Sequence, residues 1–241
     1  MIKFETVALV LPCFNEELAI AEVVREGADA LRDTGMKYEI IVVDNASTDH
    51  TVMQAAAAGA RIVRCEQQGY GAALDAGIRS TRADLIVWAD GDGSYGFSEL
   101  ECMLKLLTNG TDFVIGNRFH AQSPEPRAMP FLNQYIGNPL LSGLCRALFD
   151  TSVNDCHSGL RATRRETYPL LKASHIDFRA ATEQVIRAAQ SGLIIKEVNV
   201  SLSRTPAGRN SKLLPFLDGW KCLKMMVREA WHQVPNKLNA D

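Results

Sequence analysis

The strongest constraint in this sequence is the alternation of short apolar runs with helical patterns across its first 118 residues. Residues 6–11 (TVALVL) form a continuous β-rich run, which suits a strand buried on both faces. Residues 16–33 follow with helical spacing and place Ile20, Val23, Val24, Ala28 and Leu31 on one side. The pattern then repeats. Strands are expected at 39–43, 61–64, 85–88 and 113–115, and helices at 51–59, 71–79 and 98–107. Strands separated by helices of this length predict a mostly parallel sheet with helices on both faces, an α/β fold. No fixed-period repeat is present.

After Arg118 the rhythm breaks. Residues 120–130 are rich in proline and polar residues and are expected to form a loop, and 133–149 read as a helix. Residues 155–164 are expected to be irregular. A helix over 179–191, a strand over 194–200, a basic Gly/Pro loop over 204–211 (RTPAGRNS) and a last helix over 215–231 complete the chain. No segment reads as an inter-domain linker, so one domain is expected over 1–241.

Composition narrows the function classes. The chain has 241 residues, 46% of them hydrophobic, enough for one substantial core. Its net charge of −2 excludes a general nucleic-acid binder, so any attraction for anions must be local. The six cysteines, at 13, 65, 102, 145, 156 and 222, form no CxxC pair and no zinc-like spacing. They read as reduced thiols of a cytoplasmic protein. The apolar part of the N-terminus is too short for a signal peptide, and no window approaches the ~18–20 apolar residues of a membrane span. A soluble protein, or one lying at the inner face of a membrane, is expected.

In an open α/β sheet, ligands bind beyond the carboxyl ends of the strands. The expected strand exits carry Pro12-Cys13-Phe14-Asn15-Glu16-Glu17, Asp44-Asn45-Ala46-Ser47-Thr48-Asp49, Gln68-Gly69-Tyr70-Gly71, Asp90-Gly91-Asp92 and Gly116-Asn117-Arg118. Singly each is weak, and Ser47 and Asp49 also suit helix capping. Five polar or glycine-bearing exits in succession point to a ligand cleft. Asp90 and Asp92, one residue apart at a strand end, suit a hard divalent cation, Mg²⁺ or Mn²⁺, with ligand phosphates and water completing its shell. The same DGDG also fits an acidic turn. An EF-hand is a poor match, because the further acids are missing. GYGAAL is only a partial dinucleotide fingerprint, and it falls in the third strand unit, which argues against hydride transfer.

The segments LPCFNEE, VVDNASTDHT, GYGAALDAGI, ADGDGSY and GNRF, in that order and spacing, resemble the GT-A-fold family 2 glycosyltransferases. Within these the chain is most similar to the dolichyl-phosphate mannose/glucose synthase-like branch. DCHSGLRATRRE and RTPAGRNSKLLPFLDGWKCLK strengthen the likeness, which covers about residues 5–228. The resemblance implies a nucleotide-sugar-binding half (1–118), an acceptor-side half (119–214) and a C-terminal amphipathic helix and tail (215–241). It implies that Pro12, Phe14, Asn15 and Glu16 line a nucleoside pocket, that Asp44 reads the base edge, and that Gly71 lets a loop close over the nucleotide. Asp90 and Asp92, with Gly91 between them, match the family's D-x-D element. Asp92 is the implied metal ligand, and Asp90 contacts ribose or metal-bound water. The branch often carries Gln two places after the second Asp; here that place is Ser94, whose hydroxyl can still donate an oxygen to the metal.

The implied reaction is inverting transfer of a sugar from a nucleotide diphosphate to a polyprenyl-phosphate-type acceptor, with a soluble hydroxyl acceptor as the alternative. Negative charge then develops on the leaving diphosphate, and a divalent metal with Arg118, Arg204, Arg209 and Lys212 would stabilise it. Asp155 is expected on the acceptor side. Glu183 falls roughly where hydroxyl-using relatives carry a catalytic carboxylate, and His157 is a weaker candidate base. The last helix places Phe216, Trp220, Leu223, Val227 and Trp231 at helical spacing with lysines and Arg228 nearby. That pattern fits either a membrane surface or packing on the core. Many close relatives carry membrane helices beyond this point, whereas this sequence ends at Asp241, a departure that admits the soluble acceptor. A sugar-nucleotide pyrophosphorylase would carry a Gly-rich basic signature after the first strand, where CFNEE stands. A non-catalytic binder would not need both metal acids.

Overall fold

The computed structural model describes residues 4–119, 137–202 and 215–238. A seven-stranded sheet is built from β1 (Thr6–Cys13), β2 (Lys37–Asp44), β3 (Arg61–Arg64), β4 (Leu85–Trp88), β5 (Phe113–Asn117), β6 (Arg161–Arg164) and β7 (Ile195–Asn199). Their spatial order is β3-β2-β1-β4-β6-β5-β7. Every paired neighbour is parallel except β6, which runs antiparallel to both β4 and β5. The fold is therefore the expected α/β one, a mostly parallel sheet in which, among the described strands, only β6 runs against its neighbours.

Alternation along the strands divides the core between two faces. Val7, Leu9 and Leu11 of β1 pack with helices α1 (Ile20–Asp33) and α4 (Leu100–Thr108). Ala8 and Val10 face the other way, toward α3 (Tyr70–Arg79), α5 (Asn138–Phe149), α7 (Arg179–Gln190) and α8 (Pro215–Leu238). The short helices α2 (Thr51–Ala57) and α6 (Tyr168–Leu171) complete the described elements.

Three sequence expectations change. Helix α1 starts at Ile20 rather than at residue 16, because the Glu16 N–H is held by Thr51 Oγ1 at 2.7 Å and the chain turns before the helix begins. Helix α6 was not foreseen. Residues 155–164 are not wholly irregular, since they end in β6, a central strand reading RATR. Its sequence is polar because two of its side chains hydrogen-bond inside the protein. Arg161 is fully buried, and Thr163 donates to the Asp112 carbonyl at 2.7 Å. Residues 120–130 and 204–211, expected as loops, lie outside the described residues.

Strand β1 is flanked by β2 on one side and β4 on the other. The chain leaves β1 toward one edge of the sheet and later returns to the other side, which makes a topological switch point. A crevice opens at the carboxyl ends of the strands there.

Candidate functional site

That crevice is a cleft of about 340 Å³ whose lining includes Pro12, Phe14, Glu16, Asn45, Asp90 and Asp92. The loop after β1 is laced to the loop after β2. Asn15, in the left-handed region at φ 53°, donates its N–H to Ser47 Oγ (3.0 Å) and accepts from the Thr48 N–H through Oδ1 (2.8 Å). Asp49 accepts from the Glu17 N–H at 3.1 Å. Main-chain and short side-chain groups thus hold Pro12, Phe14 and Glu16 at the cleft wall. Asn15 lies behind that wall.

Asp44, expected at a base edge, is buried, and its Oδ1 accepts from the Ser47 N–H at 3.0 Å. Its neighbour Asn45 lines the cleft. The Asn45 amide donates to the carbonyls of Cys65 (3.2 Å) and Gln67 (2.8 Å), and its Oδ1 accepts from the Gly69 N–H (2.7 Å). It therefore sets the loop that delivers Tyr70. Tyr70 stacks on Phe178 with centroids 5.4 Å apart and the rings 16° from parallel, and both line the cleft. Gly71 faces away from the cleft. A Cβ there would stand 2.4 Å from the His175 carbonyl oxygen, and its N–H donates to Ile176 O at 2.7 Å. This close approach seats the first turn of α3 on the segment before α7.

The two acids follow β4. A Cβ at Gly91 would lie 2.2 Å from Cys13 Sγ, so only glycine lets this turn press against the end of β1. Asp92 is buried, and its Oδ1 accepts from the Ser94 N–H at 2.9 Å, which fixes the turn. Ser94 is half-buried. A Cβ at Gly159 would come within 2.5 Å of Asp90 Oδ2, so the backbone before β6 forms a floor under that carboxylate. Among the described residues no three His, Cys, Asp or Glu side chains gather to enclose a metal. Two oxygen donors on one cleft wall suit a hard cation whose remaining sites are filled by ligand phosphate and water.

Behind this wall lies a buried ion pair. Arg118, at the exit of β5, donates from Nε to Asp155 Oδ2 (2.7 Å) and from Nη2 to Oδ1 (2.8 Å), and its N–H also reaches Oδ2 (3.1 Å). The Asp155 side chain is 0% exposed and that of Arg118 10%. Burial pushes the Asp155 carboxyl up, but the Arg118 charge and hydrogen bonds outweigh it and hold the pKa below its usual range. Burial also opposes the Arg118 charge, and Asp155 more than compensates, so the guanidinium is held firmly ionised. Tyr95 connects this pair to the acids. Its hydroxyl accepts from the Gly159 N–H at 2.7 Å, and both Arg118 and Asp90 act on it electrostatically.

His157 is neutral. Burial, opposed by Asp155 and assisted by Arg118 and Arg161, brings its pKa down to about 4. Its Nε2 lies 3.2 Å from Thr182 Oγ1, and its buried Nδ1 has no hydrogen-bond partner. Glu183 points away from the acids, to the segment before α7. Its carboxylate accepts from the N–H groups of Ser174 (2.9 Å) and His175 (3.0 Å), from Ser174 Oγ (2.8 Å) and from Arg187 Nε (2.8 Å). Burial alone would raise its pKa, yet these bonds bring it to about 2. Arg204, Arg209 and Lys212 lie outside the described residues.

Sequence reasoning overlooked Asn45, Tyr70, Phe178 and Arg161. The first two sit inside segments already marked as strand exits. Phe178 reaches the cleft only through the packing of α7, and nothing in the sequence signals it. Arg161 lies in the unforeseen strand. It donates to the carbonyls of Cys156 (2.7 Å), Ser158 (2.8 Å) and Ala181 (2.6 Å), and so ties the floor segment to α7.

Comparison with known proteins agrees with this architecture. The family model described as glycosyl transferase family 2 matches residues 8–169. A low-salt glycan biosynthesis hexosyltransferase, Agl6, of Haloferax volcanii is 32% identical over 93% of this chain, which spans 54% of that relative's length. A dolichyl-phosphate hexose transferase of the same organism is 34% identical, with 93% of this chain and 94% of the relative covered. Among solved structures, glucosyl-3-phosphoglycerate synthase from Mycobacterium tuberculosis, in complex with Mn²⁺, UDP and glucosyl-3-phosphoglycerate, superposes with a TM-score of 0.71. It shares 26% identity, over 94% of this chain and 80% of that one.

Proposed function

This chain belongs to glycosyl transferase family 2, and from that premise we propose that its cleft holds a nucleotide-diphosphate sugar, with Mg²⁺ or Mn²⁺, and passes the sugar to a lipid phosphate. The observation that carries the reading is the placement of Asp90 and Asp92 on one wall of a switch-point cleft, with the Arg118–Asp155 pair behind them. The named relative that acts on dolichyl phosphate covers nearly the whole chain, and the neighbour crystallised with UDP and Mn²⁺ supports the donor and the metal.

In this reading Pro12, Phe14 and Glu16 hold the nucleoside, and Asn15 and Asp44 fix the loops that carry them. Gly71 seats α3 so that Tyr70 meets the ligand. Asp92 and Asp90 would hold the divalent ion, with Ser94 closing the turn beside them. When bound there, such an ion would supply Lewis-acid stabilisation to the departing diphosphate. Arg118, kept ionised by Asp155, adds fixed positive potential next to the acids. Arg204, Arg209 and Lys212 are assigned to the diphosphate by charge and family position. In the transfer, the bond between the anomeric carbon and the diphosphate oxygen breaks, and the electron pair leaves with the nucleoside diphosphate. An acceptor oxygen attacks in line from the opposite face, with inversion.

A phosphate acceptor is already ionised and needs no general base. That suits the described site. Glu183 is engaged in holding residues 174–175, and His157 is half-buried with its pKa lowered to about 4 and its Nε2 beside Thr182 Oγ1. The second reading, a soluble hydroxyl acceptor, is favoured by the neighbour bound to glucosyl-3-phosphoglycerate. The deciding experiment offers UDP- and GDP-sugars with Mn²⁺ to a short-chain polyprenyl phosphate and to a panel of alcohols, and reads product masses. A glycosyl phospholipid is expected. Transfer to alcohols alone would move the assignment to the second reading, and metal-independent turnover would remove the role given to Asp90 and Asp92.

A further inference from the structure

Helix α8 presents two different faces. Cys222, Met225 and Met226 are buried against the body of the protein. On the opposite side Leu217, Trp220, Val227 and Trp231 follow helical spacing in the open, with Trp220 56% and Trp231 75% exposed. The sequence pattern suggested that the tryptophan stripe could be the core-packing face; the structure turns it outward and packs a different stripe inward.

The fully exposed charges on this outer face are basic, and one of them, Lys221, is paired with Asp218 Oδ1 at 3.1 Å. Lys221, Lys224 and Arg228 are exposed beside the apolar stripe, whereas Asp218 and Glu229 sit on the half-buried shoulders. The Lys224 ammonium lies 5.3 Å from the Trp220 ring centroid, at the boundary between the apolar and basic strips. Two exposed indoles with Lys224 and Arg228 alongside, and no acid among the fully exposed described residues of the helix, form a surface complementary to an anionic bilayer, in which indoles settle at headgroup depth and basic side chains meet phosphates. A protein partner would need its own apolar groove matched to this stripe, and nothing on the helix selects one.

The helix is also joined to the cleft. Thr182 Oγ1, in the first turn of α7, lies 3.9 Å from Cys222 Sγ, and the residue just before α7, Phe178, lines the cleft and is 39% exposed. Ile176, also on this segment, is 42% exposed. Helix α8 therefore packs on α7, whose preceding residue stands at the cleft.

We infer that the outer face of α8 docks this protein in plane on an anionic lipid surface, which brings the cleft mouth to the headgroup layer. The inference deepens the lipid-phosphate reading above, but its test needs no acceptor. The full chain is mixed with vesicles of phosphatidylcholine alone or of phosphatidylcholine with phosphatidylglycerol, and binding is read by co-sedimentation and by the blue shift of tryptophan emission. Binding to the anionic vesicles is expected, weakening as salt is raised. Lys224→Glu with Arg228→Glu should weaken it on the order of a hundredfold, from roughly fivefold per lost basic contact and added repulsion. Trp220→Ser with Trp231→Ser should abolish the emission shift, with thermal melting preserved in both variants. Equal binding by the charge-reversed protein overturns the inference. So does wild-type indifference to anionic lipid, or a concentration-dependent dimer by light scattering that Trp231→Glu makes monomeric, which would assign the face to a second copy. Vesicle binding without transfer to any lipid phosphate upholds the docking surface and rejects the acceptor reading.

Discussion

The two halves of the cleft are built by different physics. On the β1–β2–β3 side, residues 4–118, apolar periodicity makes the strands, and short polar loops at their ends make the site. On the β6 side, residues 137–202 together with Arg118 from the exit of β5, the central strand is polar and its packing depends on buried charge. Arg118 meets Asp155, Arg161 is capped by carbonyls, and Glu183 is surrounded by donors. The first half can lose a cleft side chain and keep its fold. The second half couples the cleft to the fold, because its polar groups were desolvated together and each depends on its partner.

The contrast is sharpest when each half loses one carboxylate. Asp92→Ala on the loop side is expected to lower kcat by about a thousandfold or more and to leave the melting temperature nearly unchanged. Steady-state kinetics and calorimetry on the same sample check both. Asp155→Ala on the β6 side should do the opposite first. Removing one partner of a buried pair leaves the other charge uncompensated, at about 3–5 kcal/mol. The double change Arg118→Met with Asp155→Leu should recover much of that stability but not the activity. Recovery of both would show that Arg118 serves the fold alone.

The same division explains what was legible. Strands β1 to β5 and helices α1 to α4 announce themselves because apolar side chains at periods of two and 3.6 are what bury them. The acids at 90 and 92 are visible because a strand exit is defined by where the apolar run stops. Strand β6 carries no such signature. Arg161 and Thr163 are soluble-looking residues whose buried status depends on carbonyls supplied by segments up to 51 positions away. Glu183 shows the converse. Its position in the chain points to chemistry, and nothing local announces its surroundings, in which two backbone N–H groups and an arginine hold the carboxylate. Long-range partnership of this kind cannot be read from local pattern.

Glu183 gives an intermediate effect with a pH signature. Its pKa falls from the ordinary 4.5 to about 2 on folding. A lowered carboxylate contributes stability in full above pH 4.5, and loses it as the pH falls from there toward 2. Glu183→Gln should cost about 2 kcal/mol at neutral pH, the scale of hydrogen bonds to a charged group. It should also flatten the acid limb of the stability profile in that window. Turnover on a phosphate acceptor should stay within a few-fold of wild type. A collapse of kcat with normal stability would instead return Glu183 to the role of base.

The smallest expected effect lies where the two halves touch the same ligand. Tyr70 comes from the loop side and Phe178 from the α7 side, and their stacked rings form a wall of the cleft. An aromatic pair contributes about 1 kcal/mol beyond its buried area, so Tyr70→Leu should raise the donor KM about fivefold with kcat nearly unchanged. Phe178→Leu should produce the same change if the pair acts as one surface. The double variant should then cost little more than either single one, because the second substitution removes a partner already lost. Additive effects would mean that the rings meet different parts of the substrate, one on the donor and one on the acceptor. A double-mutant cycle read separately in donor KM and acceptor KM separates these outcomes, and shows whether the cleft joins its two halves or only sits between them.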